Sequence, residues 1–346
     1  MSEALYNKYR PQRFDEVIGQ EQAVDTLTNM LAKNKLPKAL LFSGVRGVGK
    51  TSLSRILAKA VNCENPDGVE PCNSCASCVD INNGVSLAVD EINAADQNGV
   101  DDIRSLIKEL FIAVDSNKKV KILDEVHMLS DAATNALLKP LESPPDHVLF
   151  ILSTTDPKKL LLPLKSRCIP IDLSLVSSPV MMEQVKKIVE KEGLAGDVSE
   201  DIIAQSVIKG KGSVRDTLSY LELLISSGGG ISASNAYKAV ESLAKKDLNT
   251  LFSCIAESAQ EGISMRGYAE EMMDILRDIF LIQMGSGELV IAPDWGNRQA
   301  VAEWMGPKNS VSAINFIAEA VSAMSAGYDE RINLEINLAR YCATAS

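Results

Sequence analysis

The sequence has few aromatic residues, 5% of 346 positions, although 46% of it is apolar. A core of that composition has to be built from aliphatic side chains, which suits a helix-rich globular protein. It also lacks long hydrophobic runs: no apolar stretch approaches the ~20 residues needed to cross a bilayer, and no signal peptide precedes Tyr6. These absences lead us to expect a cytoplasmic protein with no membrane partner. In that compartment the seven cysteines are not a disulfide framework. An excess of positive charge is missing too, since the net charge is -11. That argues against a protein coated in nucleic acid. The charge is uneven, however: residues 1–60 carry ten Lys/Arg against five Asp/Glu, a net of +5 that leaves -16 for the remainder. Any contact with DNA has to come from a local basic face. The length allows two or three domains.

The most informative stretch runs from Ala39 to Thr51, ALLFSGVRGVGKT. An apolar run of strand character breaks into a loop carrying Gly44, Val45, Arg46, Gly47, Val48 and Gly49. The loop ends in Lys50-Thr51-Ser52, and helical spacing follows. This is G-x-x-x-x-G-K-T in a strand–loop–helix setting. Glycines let the loop turn its N–H groups toward phosphate oxygens, and the helix N-terminus adds partial positive charge. Lys50 supplies a cation for the β- and γ-phosphates, and the Thr51 hydroxyl is a Mg²⁺ ligand. A chance Gly-rich turn is the competing reading, and the full set of fixed positions disfavours it.

A third strand, Val120 to Leu123, ends in Asp124-Glu125. Carboxylates at that point, in a chain with a phosphate loop, complete a nucleoside triphosphatase site. Asp124 is expected to hold Mg²⁺, and Glu125 to orient and polarise the attacking water. His127 reads as structural. Ahead of the loop, Tyr6, Tyr9, Pro11 and Phe14 alternate with Lys8, Arg10 and Arg13. The segment is either a nucleic-acid arm or a flap over a nucleotide base, with Val17 and Ile18 as apolar walls. The second fits the neighbouring loop better.

Cys63, Cys72, Cys75 and Cys78 follow the phosphate-loop helix with spacing C-x8-C-x2-C-x2-C. Four thiolates across a Pro/Gly-containing loop suit a tetrahedral Zn²⁺ site, with an iron–sulfur centre or a redox pair as alternatives. With no open coordination position the site is not catalytic. Its loss should disturb its own loop more than the nucleotide contacts. Cys168, Cys254 and Cys342 stand apart and read as buried thiols.

Further strands are expected at residues 87–92, 147–153 and 169–173, alternating with helices, which implies a parallel α/β sheet. From Ser178, read as a helix cap ahead of Pro179, the pattern is helical, with a break at Gly228-Gly229-Gly230 and interruptions at 285–296 and Gly306-Pro307. We expect three domains: a nucleotide-binding domain at 1–175 with the cysteine clip inserted at 63–78, a small helical lid domain at 176–230, and an all-helical oligomerisation collar at 231–346.

The motifs KYRPQRFDEVIGQ, GVRGVGKT, the four cysteines, DEVHMLS, NALLKPLESPP, STTDP, SRC and GSVRD resemble, in order and near spacing, the ATPase subunit of the bacterial sliding-clamp loader. That is the DNA polymerase III gamma/tau family of AAA+ proteins, and the likeness covers residues 5 to about 225. Asn93 stands where that family usually has Asp. The resemblance implies an ATP hydrolase within a DNA-directed DNA polymerase holoenzyme, which uses ATP to open the clamp and load it on primer–template DNA. It implies Tyr9, Arg10 and Pro11 in the base-contacting segment, Thr155 as the sensor near the γ-phosphate and Arg215 as a second sensor. Arg167 would be a finger reaching into a neighbouring subunit's site. It implies delta- and delta-prime-type subunits, copies of itself and the clamp as partners, in a nucleoid-associated cytoplasmic replisome. Ending at residue 346, the chain is expected to be a gamma-type core, a truncated tau-type form or a phage-borne version. An AAA+ helicase or remodeller is the alternative. A small-molecule kinase leaves Arg167, Arg215 and the helical tail unexplained.

Overall fold

The structure, a computed structural model, describes residues 3–110, 118–226, 235–287, 290 and 298–344. The chain opens with α1 (Leu5–Lys8) and α2 (Glu21–Ala32), followed by β1 (Ala39–Ser43), α3 (Lys50–Asn62), α4 (Ala76–Asn83), β2 (Val89–Asn93) and α5 (Val100–Glu109). Next come β3 (Lys119–Asp124), α6 (Asp131–Glu142), β4 (Val148–Thr154), α7 (Leu162–Lys165) and β5 (Ile169–Asp172). Among the described residues the five strands form one parallel sheet in the order β2-β3-β4-β1-β5.

Strand periodicity explains why helices cover both faces. Successive side chains point to opposite sides, so a strand buried on both faces reads as a continuous apolar run. Leu40 and Phe42 of β1, Val120 and Ile122 of β3, and Leu149 and Ile151 of β4 pack with Leu27 of α2 and Leu53, Ile56 and Leu57 of α3. The alternate residues Leu41, Leu123, Phe150 and Leu152 pack with Ile103 and Leu106 of α5 and Leu137 and Leu141 of α6. Parallel pairing sets the C-terminal ends of β1, β3 and β4 side by side, with Ser43 opposite Thr154 and Leu123 opposite Leu152. Loops leaving that edge are where open α/β sheets hold their ligands.

The remaining described helices are α8 (Ser178–Lys191), α9 (Glu200–Gly210), α10 (Val214–Ser226), α11 (Asn235–Ala244), α12 (Leu248–Gln260), α13 (Met265–Gln283), α14 (Arg298–Ser325) and α15 (Glu330–Thr344). The residue before α8 is Ser177, not Ser178, and its side chain makes no capping bond; Pro179 still lies in the first turn. Contacts divide the chain into two compact units, Met1–Val198 with Ser206–Leu223, and Ser199–Gln205 with Leu224–Ser346. The first holds the sheet. The second has an aliphatic helical core that includes Leu251, Met272, Ile279, Ile317 and Leu338. Within α14 the backbone breaks at Gly306 (φ 70, ψ 155), just before Pro307. The expected triple-glycine linker lies outside the described residues. The architecture is a parallel α/β sheet with helices on both faces and a Gly-rich loop between β1 and α3, together with a helical C-terminal region.

Candidate nucleotide site and four-cysteine cluster

The loop between β1 and α3 reaches the phosphate-binding shape through left-handed backbone at Gly47 (φ 81) and Gly49 (φ 105). Space as well as conformation dictates glycine at 47, because a Cβ there would lie 2.0 Å from Ser213 Oγ. The helix N-terminus opens directly at Lys50, which is 6% exposed. The Lys50 ammonium donates to the carbonyls of Gly44 (2.8 Å) and Val45 (3.0 Å). Burial lowers its pKa, and Glu125 and Asp124 pull it back up.

The carboxylates expected from the sequence meet that loop. Thr51 Oγ1 donates to Asp124 Oδ2 at 3.0 Å, and Ser153 Oγ donates to Asp124 Oδ1 at 2.6 Å. Asp124 is thus held from both sides beside the Lys50 helix. Glu125 sits in left-handed backbone (φ 52), uncommon for a residue with a long side chain and frequent at functional sites. Its Oε2 accepts from the Thr155 amide (3.1 Å) and hydroxyl (2.8 Å). His127, read from sequence as structural, lies with Nδ1 3.2 Å from the same oxygen and 3.1 Å from Thr154 Oγ1.

A cavity of about 420 Å³ runs from this cluster to the N-terminal segment, a size suited to a small ligand. Tyr9, Arg10, Pro11, Val17, Ile18, Arg46, Gly47, Val48, Gly49, Lys50, Thr51, Ser52, Asp124, Glu125 and Arg215 all line it. Burial and the nearby Arg55 guanidinium lower the Arg10 pKa. Arg215 lies 5.0 Å from the Tyr6 ring centroid, a cation–π contact, and its amide donates to Gly47 O at 3.4 Å. Gly44 and Val45 do not line the cavity and instead hold Lys50. Thr155 reaches it only through Glu125. Arg167 is elsewhere: it pairs with Glu142 at 2.9 Å, donates to Pro163 O at 2.9 Å, and its Nε is buried with no partner.

Sequence reasoning missed Gln184, Ile188 and Leu218, which form part of the wall. Gln184 and Ile188 share a face of α8 at i,i+4 spacing. Amphipathic spacing alone does not separate such a wall from ordinary packing. Gln20 was missed as well: its amide donates to Val48 O (3.4 Å) and Ser174 O (2.7 Å) and accepts from the Ser174 amide (3.0 Å), joining phosphate loop to sheet edge.

The four cysteines come together. The Sγ atoms of Cys63, Cys72, Cys75 and Cys78 lie within 4.8 Å of one another, and no other such group of His, Cys, Asp or Glu occurs among the described residues. Tetrahedral Zn–S bonds of about 2.3 Å place sulfurs roughly 3.8 Å apart, so the set fits the ion. Backbone amides point at the sulfurs, Cys72 N at Cys63 (3.3 Å), Cys75 N at Cys72 (3.3 Å) and Cys78 N at Cys75 (3.5 Å), a pattern that favours thiolate. Hydrogen bonds from Ser74 and the Cys75 amide hold the Cys72 thiol down to about 5, while burial pushes Cys63 and Cys78 up. A divalent cation bound among them would stabilise all four as thiolates at once.

Residues 19–177 match the family model described as DNA polymerase III, delta subunit. Curated relatives align over more of the chain. They include DNA polymerase III subunit tau of Bacillus subtilis, 42% identical over 82% of this chain and 53% of that protein. Subunit tau of Escherichia coli is 36% identical over 87% of this chain and 48% of its own length. Subunit gamma/tau of Mycobacterium tuberculosis is 38% identical over 81% and 51%. The delta description covers only the sheet-bearing part, so the longer alignments to tau and gamma/tau decide the kinship. The chain spans about half the length of the curated relatives it matches. Over the residues that align, this chain is a homologue of the DNA polymerase III tau and gamma/tau subunits.

Proposed function

We propose that this chain is the ATP-hydrolysing motor subunit of a DNA polymerase III clamp loader, which opens a sliding clamp and loads it on primer–template DNA. The carrying observation is the convergence of Lys50, the Thr51–Asp124–Ser153 set and the Glu125–Thr155 pair at the rim of one cavity. Loop amides and Lys50 bind the triphosphate of ATP, and the segment from Tyr9 to Ile18 receives the base. Thr51 and Asp124 would hold Mg²⁺, which neutralises charge on the phosphates when bound. Glu125 orients the attacking water, with Thr155 fixing the direction of its carboxylate. Cys63, Cys72, Cys75 and Cys78 would hold a structural Zn²⁺. Residues 1–175, 176–230 and 231–346 serve as motor, lid and collar, with Arg215 carried on the lid to sense nucleotide. The partners are delta- and delta-prime-type subunits, further copies of this chain, the clamp and DNA, in the cytoplasmic replisome. No helix among the described residues is long and apolar enough to cross a membrane, which fits that setting.

Arg167 acts on a neighbour's ATP, a role supported by its place outside the lining of the cavity that Lys50 lines, where it pairs with Glu142. A guanidinium supplied in trans is worth roughly 10³–10⁵ in rate. Lys50→Ala subunits keep the finger and Arg167→Ala subunits keep the phosphate loop. Each should form assemblies inactive in DNA- and clamp-stimulated hydrolysis, and mixtures should recover part of it. Normal assembly with no recovery in any mixture would refute the trans role.

A further inference from the structure

We infer that the cysteine clip is a clamp on the base-side wall of the nucleotide cavity, so that metal in the clip sets nucleotide affinity. The inference rests on reading the cavity as a nucleotide site. The wall is made by Tyr9–Pro11 and by Glu16–Ile18, two short runs that line the cavity on either side of residues 12–15. Those four residues do not line it. They are held from behind, mainly by residues of the clip.

The Glu70 carboxylate, between the first and second cysteines, accepts from the amides of Phe14 (2.8 Å) and Asp15 (3.1 Å). The Asn73 amide, between the second and third, donates to Gln12 O at 3.3 Å. Lys59, one turn before Cys63 on α3 and 1% exposed, donates to Gln12 O (3.0 Å), Gln12 Oε1 (2.6 Å) and Asn73 Oδ1 (2.6 Å). Gln12 N in turn donates to the carboxylate of Glu16, a wall residue, at 2.7 Å. Phe14 itself is buried in the core beneath the sheet. The Phe14 and Asp15 amides and the Gln12 carbonyl therefore find partners on a loop whose own shape depends on four sulfurs meeting at one point.

A loop of that length closed by thiolates holds its geometry through the ion they share. Without the ion, Glu70 and Asn73 lose their fixed positions. The segment 12–15 then trades preorganised partners for water, and ordering it falls to the binding step. The cost is specific to the end of the cavity that the segment walls. The phosphate end is built by the loop amides, Lys50 and Asp124, none of which touches the clip. On this inference the closed coordination that makes the clip non-catalytic does not isolate it from nucleotide.

The test compares ATP with inorganic tripolyphosphate, which lacks base and ribose, by calorimetric titration of the whole protein with Mg²⁺ present, alongside metal content by elemental analysis. Glu70→Ala removes two charge-assisted bonds and should weaken ATP about tenfold while leaving tripolyphosphate within about twofold. Its metal should stay at the wild-type level. Glu70→Gln keeps one acceptor oxygen and should recover part of the loss. Wild type stripped by a chelator should show the same split. Unchanged ATP affinity in both the Glu70→Ala and stripped proteins overturns the clamp, as does an equal loss for both ligands. Wild type that binds neither ligand overturns the nucleotide reading itself, and the clamp with it.

Discussion

Replacing Gly47 by Ala tests whether the phosphate loop is shaped by local conformation alone or also by the helix packed against it. Two costs are separable. With φ at 81, an added Cβ strains the backbone by about 1–2 kcal/mol. It would also lie 2.0 Å from Ser213 Oγ, 3.2 Å from Ser213 Cβ and 3.3 Å from Arg215 Cβ. Rotating the Ser213 hydroxyl away relieves the first contact but sacrifices the bond it accepts from Asp216 N at 3.3 Å, which caps α10. Loss of such a cap costs about 1 kcal/mol. Gly49 supplies the control, since its φ is 105 and a Cβ there meets nothing within 4 Å.

Gly49→Ala should therefore cost about 1–2 kcal/mol, and Gly47→Ala about 1 kcal/mol more. The assay is urea unfolding by circular dichroism, read on the transition that moves when ADP is added. Ser213→Ala alone should cost about 1 kcal/mol, and in that background the excess cost of Gly47→Ala should vanish, a coupling of about 1 kcal/mol. Equal losses for the two glycine variants, or full additivity of Gly47→Ala with Ser213→Ala, would refute the account.

Two further outcomes follow from the site and its surroundings. Glu125→Gln should still bind ATP while hydrolysis falls by about 10²-fold or more; binding and phosphate release are measured separately, and normal release removes Glu125 from the mechanism. Burial alone pushes the Cys168 thiol up to about 12. Its protonated form contributes stability below the ordinary thiol pKa, and that contribution is lost as pH rises toward the folded value. At pH 8.5 iodoacetamide should leave Cys168 unmodified in folded protein and label it in urea, and rapid labelling of the folded protein contradicts its burial.

What was legible in the sequence was chemistry set by short spacing. The phosphate loop, Asp124-Glu125 and the four cysteines each carry their meaning within a few residues, and the parallel sheet follows from apolar runs too short for helices. The strand order was not legible, because it depends on which strands pair across long crossovers. Nor were the contacts of Glu70, Gln12 and Gln20. A Glu in a polar loop or a Gln before a helix has no pattern of its own, and its partners lie 55, 47 and 154 residues away. The shift of the α8 boundary from Ser178 to Ser177 is a smaller case. Two adjacent serines precede Pro179, and Ser177, the one at the cap position, makes no side-chain capping bond that would have marked it out.

The groups expected to act on ATP share a property that spacing cannot reveal: each already has a partner inside the protein. Lys50 holds two carbonyls of its own loop, Glu125 is held by Thr155, and Arg167 by Glu142. Isolated buried charges are costly, so a site that must present a cation and two carboxylates needs internal partners to fold at all. Chemistry at such a site is an exchange of partners. On the proposed function, phosphate oxygens would have to outcompete carbonyls for Lys50, and Arg167 would have to leave Glu142, a pair about two-thirds exposed on its acidic side and thus cheap to break. Glu125 differs, because it lines the cavity while its bonds to the Thr155 amide and hydroxyl both fall on one carboxylate oxygen and leave the other free of them. Of the three, only Glu125 could take its proposed part without first giving up its contacts, which is the arrangement expected of a group whose direction, more than its charge, would carry the catalysis.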